Sequence, residues 1–407
     1  MNDADFQINA QDIKPFLLKE QLPHILILTC IFFLNILARY LWGPLIVNIE
    51  KDLGISHAQA GSIFINITSG YFIGVIGSWI FSSKLNHRNT IVLSCYTCGL
   101  SLMMFMVSGT SLLFFKIMLI VVGATAGLYL PSAIASLAYN LEPKDFGRAF
   151  AIHEISPSLA LIIGPLLAEF LLGWGSWRIV LGPIVVGFFV MGLLYRIKNV
   201  TGDYKSDPLT IRNVIRVLSQ PVFWIMLILF TLGIGANVGI YSMTPLYLQI
   251  ERGMGQTYTN LIMAVARVAA MFSPLVVGWL AGRYGPRPVI AFTNLLTGTT
   301  TILLGLCPNK WLWLPLFFQP IFATALFPPA YAVLADAVPS GLRSSIIALL
   351  MPVAMLLGGG IFPIILGAFG DAHRFYAGFI YMGILVAVSA LFMLFAILVG
   401  KGIRDRV

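Results

Sequence analysis

Charged side chains are scarce in this chain of 407 residues, in which Asp, Glu, Lys and Arg together account for 10%. Hydrophobic residues account for 58%. A soluble protein of this length needs far more polar side chains to cover its surface. The composition therefore excludes a soluble globular protein and indicates a chain whose surface faces lipid.

Residues that bind metals or act in catalysis are also few, with five histidines and four cysteines. Cys95 and Cys98 have CxxC spacing, but no further ligand stands beside them, and small apolar packing explains them better. The string HEISP from His153 begins like a zinc-protease motif, yet Pro157 takes the place of the second histidine. The GGG at 358–360 lies deep in an apolar run, which a phosphate loop would not. We therefore predict no enzyme activity, no metal and no cofactor.

Apolar runs of about twenty residues are what the chain has in abundance. Each run is long enough, at about 1.5 Å per residue, to cross a hydrocarbon core about 30 Å thick as a helix. The pattern predicts an all-α polytopic membrane protein with twelve transmembrane helices. The first run is followed by no small-residue cleavage pattern, so we expect it to be retained. The runs, numbered here as spans 1 to 12, lie at 24–48, 58–82, 89–109, 112–138, 148–173, 177–196, 221–249, 257–281, 286–306, 311–335, 343–369 and 375–400.

The net charge of +9 is explained better by membrane topology than by a nucleic-acid partner. If both termini lie in the cytoplasm, 17 of the 25 Lys and Arg residues fall in cytoplasmic segments and six on the opposite side. This bias follows the positive-inside rule. We therefore expect a multi-pass protein of the plasma (inner) membrane with both termini cytoplasmic, which binds no nucleic acid. The two remaining cations, Arg39 and Arg267, lie inside spans.

The two halves of the sequence follow one template. Span 1 ends in GPLIVNIEKDLGIS from Gly43 and span 7 ends in TPLYLQIERGMGQT from Thr244, with a proline, a glutamate and a glycine in register at an offset of 201. The predicted organisation is a cytoplasmic N-terminal segment at 1–23, a six-helix bundle at 24–197, a cytoplasmic linker at 198–220, a second six-helix bundle at 221–400 and a cytoplasmic tail at 401–407. Within the linker we expect an amphipathic helix that lies along the membrane.

The loop between spans 8 and 9, GWLAGRYGPRPV at 278–289, resembles the loop signature of the major facilitator superfamily. The match covers four residues of that signature: Gly278, Arg283, Gly285 and Arg287. Gly282 stands where the family usually has aspartate. The copy between spans 2 and 3 keeps Lys84 and Arg88 and places Ser83 at the acidic position. With its twelve spans and two related halves, the chain is identified as a member of this family over about residues 24 to 400.

The resemblance implies two six-helix bundles around a central cavity, with substrate bound near the midplane of the membrane. The bundles would rock so that the cavity opens to one side at a time. In the family the missing aspartate helps to hold the cytoplasmic gate closed, so this chain must close that gate by other means. The residues expected at the cytoplasmic gate are Lys84, Arg88, Arg148, Arg283, Arg287, Asp336 and Arg343.

Arg39 in span 1 and Arg267 in span 8 need an explanation, because a cation at membrane depth costs about 3 kcal/mol on insertion scales. In one interpretation, Glu154 or Glu169 neutralises them. In the other, both arginines face the cavity and bind an anionic substrate, since a guanidinium fits carboxylate, phosphate or nitrate through two hydrogen bonds. The residues expected to bind substrate are Arg39, Arg267, Asn35, Asn66, Asn237 and Tyr241.

Glu154 lies two turns into span 5, beside His153. A carboxylate at that depth suits a proton carrier, and His153 is placed to share the role. A hydrogen bond that serves gating or helix packing is the alternative for both residues.

These observations predict a secondary active transporter that moves a small anionic solute by rocker-switch alternating access, with protons coupled through Glu154. The alternative is a proton-driven exporter of drugs or amphiphiles, which predicts an apolar cavity and arginines paired with acids. The exporter signature GPxxGG is reduced here to Gly164 and Pro165. A non-transporting membrane sensor has the least support. The expected partners are a small-molecule substrate, the lipid bilayer and protons, and the protein is expected to be a monomer.

Overall fold

The computed structural model describes residues 18–107, 111–198, 211–338 and 343–404. Every regular element in these ranges is a helix, and eleven helices are long and apolar enough to cross a membrane. The twelfth span is a helix of 30 residues, and Phe375–Leu391 is its described apolar part. The predicted all-α polytopic fold is therefore confirmed.

Several spans consist of two or more consecutive helices. In the first half, spans 1 to 6 comprise Leu18–Tyr40 with Trp42–Leu53, His57–Leu85, His87–Val107, Leu112–Gly127 with Tyr129–Asn140, Pro143–His153 with Ile155–Leu172, and Trp177–Leu181 with Gly182–Lys198. In the second half, spans 7 to 12 comprise Pro221–Ile234 through Tyr247–Glu251, Gln256–Tyr284, Pro286–Leu306, Trp313–Ala325 with Phe327–Ala337, Arg343–Ala354 through Phe362–Asp371, and Phe375–Arg404.

The predicted linker contains the expected short helix, Ile211–Leu218, with an exposed basic residue at Arg216. Other parts of the predicted peripheral segments lie outside the described residues, namely 1–17, 199–210 and 405–407. The side chain of Arg343, predicted for the cytoplasmic gate, lies outside them as well.

Three segments of the second half are π-helical: Gly235–Gly239, Tyr247–Glu251 and Met355–Ile361. A π-helical turn interrupts the regular α-helical hydrogen bonds and is frequent at functional sites. The first and third of these segments pack against each other, and a Cβ on Gly358 would collide with the carbonyl oxygen of Thr231. Spans 7 and 11 therefore meet backbone to backbone at irregular turns.

Spans 1 to 6 pack mainly among themselves, as do spans 7 to 12. Most of the packing between the halves, among the described residues, joins three pairs of spans: 1 with 7, 2 with 11, and 5 with 8. In a repeat of six spans, the pair of spans 2 and 11 is equivalent to the pair of spans 8 and 5. This packing supports the predicted division into bundles at 24–197 and 221–400, which stays a prediction.

We call the face of the bundle with the loop between spans 1 and 2 the distal face, and the opposite face, where the described chain begins and ends, the terminal face. The two halves are in close contact at the distal face. Gly61 lies against the backbone of Pro363, and Gly367 against the backbone of His57, and neither glycine has room for a Cβ. Small residues of this kind let helices approach closely. The distal face is therefore closed.

Residues predicted to gate the terminal face make their identified contacts within their own half. Arg88 Nη2 donates to the carbonyl oxygen of Arg196 at 2.7 Å, and Arg148 Nη1 lies 3.4 Å from Asp145 Oδ1. Four others are exposed: Lys84, Arg283, Arg287 and Asp336. These positions fit a terminal face that is open in this conformation, and the gating role of the residues stays a prediction.

The contact between spans 2 and 4 tests the packing of the first half. A Cβ on Gly123 would collide with the carbonyl oxygen of Ile67, whereas one on Gly278 would meet nothing within 4 Å. We expect Gly123→Ala to destabilise the protein by about 1–3 kcal/mol through overpacking. Gly278→Ala should be neutral or stabilising, because alanine favours a helix over glycine by about 1 kcal/mol. Thermal unfolding in detergent measures both variants, and equal shifts would contradict the close packing of spans 2 and 4.

Candidate substrate site

Arg39 and Arg267 lie deep in the protein, on spans from opposite halves. Their exposed fractions are 3% and 4%. The hydroxyl of Tyr40 is close enough to interact electrostatically with both guanidinium groups. One tyrosine therefore lies within electrostatic range of two cations that are 228 positions apart in the chain.

Arg267 is held by span 7, at the π-helical segment Gly235–Gly239. Its Nη1 donates to Asn237 Oδ1 at 2.5 Å, and its Nη2 donates to the carbonyl oxygen of Asn237 at 2.6 Å. The guanidinium also lies 4.7 Å from the ring centre of Tyr241, a favourable distance for a cation above an aromatic face. Three residues that the sequence predicted separately, Arg267, Asn237 and Tyr241, thus form one cluster.

A second polar side chain supports the same π-helical segment. Gln319 in span 10 donates from Nε2 to the carbonyl oxygen of Ala236 at 2.8 Å. Beside Arg267 and Gln319 lies a cavity of about 30 Å³, which has room for a water molecule. Gln319 was not predicted as a functional residue, although a glutamine inside an apolar span was a visible signal.

Arg39 has weaker partners than Arg267. Its guanidinium lies 4.1 Å from the ring centre of Tyr71 in span 2, and its Nη1 lies 3.9 Å from Met355 Sδ in span 11. A thioether sulfur is a weak acceptor. The Nε of Arg39 is buried and has no hydrogen-bond partner within the described part of the chain. Nothing in the sequence pointed to Met355, because its contact depends on how the halves meet.

Neither arginine is paired with an acid in the structure. Among the residues that the structure describes, no carboxylate oxygen lies within 4.0 Å of either guanidinium. Glu169, one of the two expected counter-ions, instead accepts hydrogen bonds from Thr257 Oγ1 at 2.5 Å and Asn260 Nδ2 at 2.9 Å. The interpretation in which Glu154 or Glu169 neutralises an arginine does not describe this conformation.

The two asparagines predicted beside the arginines have different surroundings. Asn35 is 1% exposed and donates from Nδ2 to the carbonyl oxygen of Ala126 at 2.9 Å. This bond ties span 1 to span 4, so we assign Asn35 to packing and remove it from the proposed substrate ligands. Asn66 is partly buried, and its Nδ2 has no partner among the described residues. Asn66 therefore keeps a donor that a ligand could use.

Glu154 lies at a break in span 5, between the helices Pro143–His153 and Ile155–Leu172. Its side chain is 40% exposed, and its Oε1 lies 3.4 Å from His153 Nδ1. The hydroxyl of Tyr71 is close enough to interact electrostatically with both Arg39 and Glu154. The carboxylate is therefore exposed, and Tyr71 lies within electrostatic range of both the carboxylate and the arginine.

His153, predicted to share the role of Glu154, is fully buried. Its ring stacks on Phe32 with centres 4.4 Å apart, and its Nε2 lies 3.1 Å from the hydroxyl of Tyr129. That hydroxyl donates its one proton to the carbonyl oxygen of Leu28 at 2.6 Å, so it accepts a hydrogen bond from Nε2. The proton on Nε2 leaves Nδ1 of the neutral ring as an acceptor toward Glu154. The pair of Glu154 and His153 therefore has one place for a shared proton.

Comparisons with known proteins agree with this architecture. A family model described as the Major Facilitator Superfamily matches residues 28–283 and 253–405. The putative transporter AraJ of Escherichia coli (strain K12) is 22% identical over 267 residues, which cover 64% of this chain and 66% of the relative. The multidrug resistance protein MdtG of Proteus mirabilis (strain HI4320) is 24% identical over 279 residues, which cover 64% and 67%. The matched segments thus span about two thirds of these relatives.

Solved structures of transporters share the fold. A bacterial homolog of the human lysosomal transporter Spinster, in an inward-facing and unoccupied conformation, aligns with a TM-score of 0.80 at 15% identity, over 94% of this chain and 98% of that chain. A D-xylose–proton symporter aligns with a TM-score of 0.74 at 14% identity, over 91% and 97%. At these identities the likeness concerns the fold.

The missing counter-ion of Arg267 can be supplied by mutation. Asn237→Asp places a carboxylate at the atom that Arg267 Nη1 already contacts. We expect the variant to be more stable than wild type, because a carboxylate at this atom balances a buried cation that has no acid beside it among the described residues. Asn237→Leu is the matched comparison. It removes the side-chain acceptor of Arg267 and should therefore lower the stability of the protein. Thermal unfolding measures both, and destabilisation by Asn237→Asp would contradict the view that Arg267 lacks a counter-charge.

Proposed function

The chain belongs to the Major Facilitator Superfamily, and from this premise we propose that it is a secondary active transporter that moves a small anionic solute by alternating access. The observation that carries the proposal is the pair of buried arginines. Arg39 and Arg267 come from opposite halves and have no carboxylate beside them in the described structure. A buried cation without a partner is costly, and an anion that binds between the two would remove that cost.

The arrangement suits an anion that bridges the halves. Arg39 offers an Nε that has no partner among the described residues, and its guanidinium contacts the side chain of Tyr71, the ring of Tyr40 and a sulfur. Arg267 is fixed by Asn237 and so presents its charge in a defined position. A planar guanidinium binds carboxylate or phosphate through two parallel hydrogen bonds, which gives both affinity and orientation. Asn66 supplies a further donor from span 2.

Binding to both halves at once couples the substrate to the conformational change. The distal face is closed, which supports access to the site from the terminal face. We assign the terminal face to the cytoplasm, since most Lys and Arg outside the spans are predicted there. An anion that contacts both arginines draws the halves together, which favours states that are closed on the terminal side. This mechanism needs neither a second protomer nor a nucleic acid.

Proton coupling is assigned to Glu154 and His153. The carboxylate is accessible, whereas the imidazole is buried and fixed by Tyr129, so a proton can enter at Glu154 and be shared with Nδ1. Tyr71 interacts electrostatically with both Glu154 and Arg39. The charge on Glu154 can therefore influence an anion bound at Arg39. A proton on Glu154 removes a negative charge from the neighbourhood of the anion and therefore favours anion binding.

A proton-driven drug exporter is the second candidate, and the names of relatives support it. MdtG is named a multidrug resistance protein. A drug exporter of this kind predicts that the arginines form ion pairs with acids. Among the described residues, however, no carboxylate lies within 4.0 Å of either guanidinium. An anion carrier explains the unpaired charges better. Uptake of cationic dyes, measured beside uptake of anions, distinguishes the two candidates.

Substitution of the arginines by lysine tests the anion site. Lysine keeps the positive charge but loses the two-pronged hydrogen bonding of the guanidinium. We expect Arg39→Lys and Arg267→Lys each to reduce anion counterflow at least about tenfold, as the loss of a charge-assisted hydrogen bond implies. The measurement is counterflow in proteoliposomes with monocarboxylates, dicarboxylates, phosphates, nitrate and cationic dyes.

Arg178→Lys is the matched control, because Arg178 pairs with Asp52 at the distal face, far from the site. It should transport like wild type. Normal anion flux in both site variants, or flux of cationic dyes with no flux of any anion, would refute the anion site.

If Glu154 carries the proton, its substitution should affect accumulation driven by a pH gradient but not anion exchange. Glu154→Gln keeps the shape of the side chain and removes the titrating group. We expect it to abolish accumulation driven by a pH gradient while anion exchange at equal pH continues at a comparable rate. Both are measured in the same proteoliposomes, and pH-driven accumulation that survives in Glu154→Gln would contradict the assignment.

A further inference from the structure

Four carboxylates at the distal face each accept hydrogen bonds from the beginning of another span. Two of these contacts cross between the halves and two stay within one half. The crossing pair is formed by Asp371 and Glu169, and the pair within the halves by Asp52 and Glu251.

Asp371 at the end of span 11 caps span 2, which belongs to the other half. Its Oδ1 accepts from the backbone N–H of His57 at 2.7 Å. Its Oδ2 accepts from Ser56 Oγ at 2.9 Å and from the backbone N–H of Ala58 at 3.1 Å. His57 is fixed to span 1 in turn, since its Nδ1 lies 2.6 Å from Glu50 Oε1. A carboxylate at a helix N-terminus is stabilised by the free N–H groups and by the helix dipole.

Glu169 near the end of span 5 makes the reciprocal contact with the start of span 8. Its Oε1 accepts from Thr257 Oγ1 at 2.5 Å, and its Oε2 accepts from Asn260 Nδ2 at 2.9 Å. Spans 5 and 11 are equivalent in the six-span repeat, as are spans 2 and 8. Each half therefore extends one acid to the first turn of a helix in the other half.

The two remaining carboxylates provide an internal comparison. Asp52 accepts from Trp177 Nε1 at 3.1 Å and from Arg178 Nη1 at 2.6 Å, which joins spans 1 and 6. Glu251 accepts from the backbone N–H groups of Phe375 at 2.7 Å and Tyr376 at 3.0 Å, which joins spans 7 and 12. These contacts have the same chemistry, but they cannot hold one half against the other.

At the terminal face, the signature loops have no acid at the position where the family usually has one. The loop signatures between spans 2 and 3 and between spans 8 and 9 have Ser83 and Gly282 at their acidic positions. Carboxylates that bind the start of a helix in the other half are thus present at the distal face, whereas both signature loops of the terminal face have a residue without a carboxylate at the acidic position.

We propose that Asp371 and Glu169 form a two-carboxylate latch that closes the distal face, and that this latch sets the resting conformation to the one open at the terminal face. The latch opens when the halves separate at the distal face and releases both caps together. The latch acts on the conformational equilibrium whatever the substrate is. Failure of the anion site would therefore leave the latch proposal unaffected.

The test uses a cysteine reporter buried at the distal interface. Ser242 in span 7 is 1% exposed and its backbone lies against Gly43 of span 1, so Ser242→Cys reacts with a maleimide when the distal face opens. The background carries Cys30→Ser and Cys307→Ser, because Cys30 and Cys307 are the accessible native thiols. The rate of labelling is measured on the purified full-length chain in detergent.

We expect Asp371→Asn and Glu169→Gln each to raise the labelling rate about tenfold, the effect of weakening a charge-assisted contact, and the double variant to raise it further. Asp52→Asn and Glu251→Gln are the matched controls and should leave the rate within about twofold of wild type. Thr257→Val with Asn260→Leu and Gln256→Leu removes the side-chain donors to Glu169 from the other half. This donor variant should raise the rate as Glu169→Gln does, and the two changes together should add little.

Unchanged labelling in Asp371→Asn and Glu169→Gln would overturn the latch, as would controls that accelerate labelling as much. Full additivity between Glu169→Gln and the donor variant would overturn the assigned contact. If an acid variant does not fold, the donor variant and Ser56→Ala test the same contacts from the partner side, and wild-type labelling in both would refute the proposal.

Discussion

A positive charge buried at membrane depth has to be balanced, and this constraint organises the centre of the molecule. Arg267 is balanced in part by the side chain and carbonyl oxygen of Asn237, which a π-helical turn presents to it. Arg39 rests on the ring of Tyr71 and near a sulfur, with one nitrogen unpartnered among the described residues. Neutral partners hold both groups in place but do not cancel their charge, which is why we assign that role to an anion.

At the distal face, negatively charged side chains hold the two halves together. Asp371 and Glu169 bind helix starts in the other half, where free N–H groups and side-chain donors are available without a neighbouring cation. The arginines and the latch therefore act on one equilibrium from two places. The latch favours the conformation open at the terminal face, and an anion that bridges Arg39 and Arg267 favours states in which the halves close around it.

Much of this architecture could be predicted from the sequence. Each apolar run is long enough to cross a membrane as a helix, and repeated residues at a fixed offset indicate two related halves. The two arginines were visible for the same reason. Two of the residues around them were not, since Met355 contacts Arg39, and Gln319 bonds to the π-helical segment that holds Arg267, only through tertiary packing. The backbone departs from the sequence register at the end of the repeat: within the two matched segments the glycines with positive φ are Gly54 and Gly253, whereas Gly255, the sequence match of Gly54, has a φ of −66°. Glu169 was expected beside an arginine but accepts hydrogen bonds from side chains near the start of span 8, a contact that no pattern within span 5 could indicate.

The central claim, that the unpaired arginines form an anion site, is tested most directly by the thermal unfolding of the purified wild-type protein across a series of ligands at constant ionic strength. A ligand that binds the folded state raises the unfolding temperature in a saturable way. The account predicts saturable stabilisation by at least one class of small organic or inorganic anion, and loss of that effect in Arg39→Met. Stabilisation by amphiphilic cations alone, with no response to any anion, would contradict it.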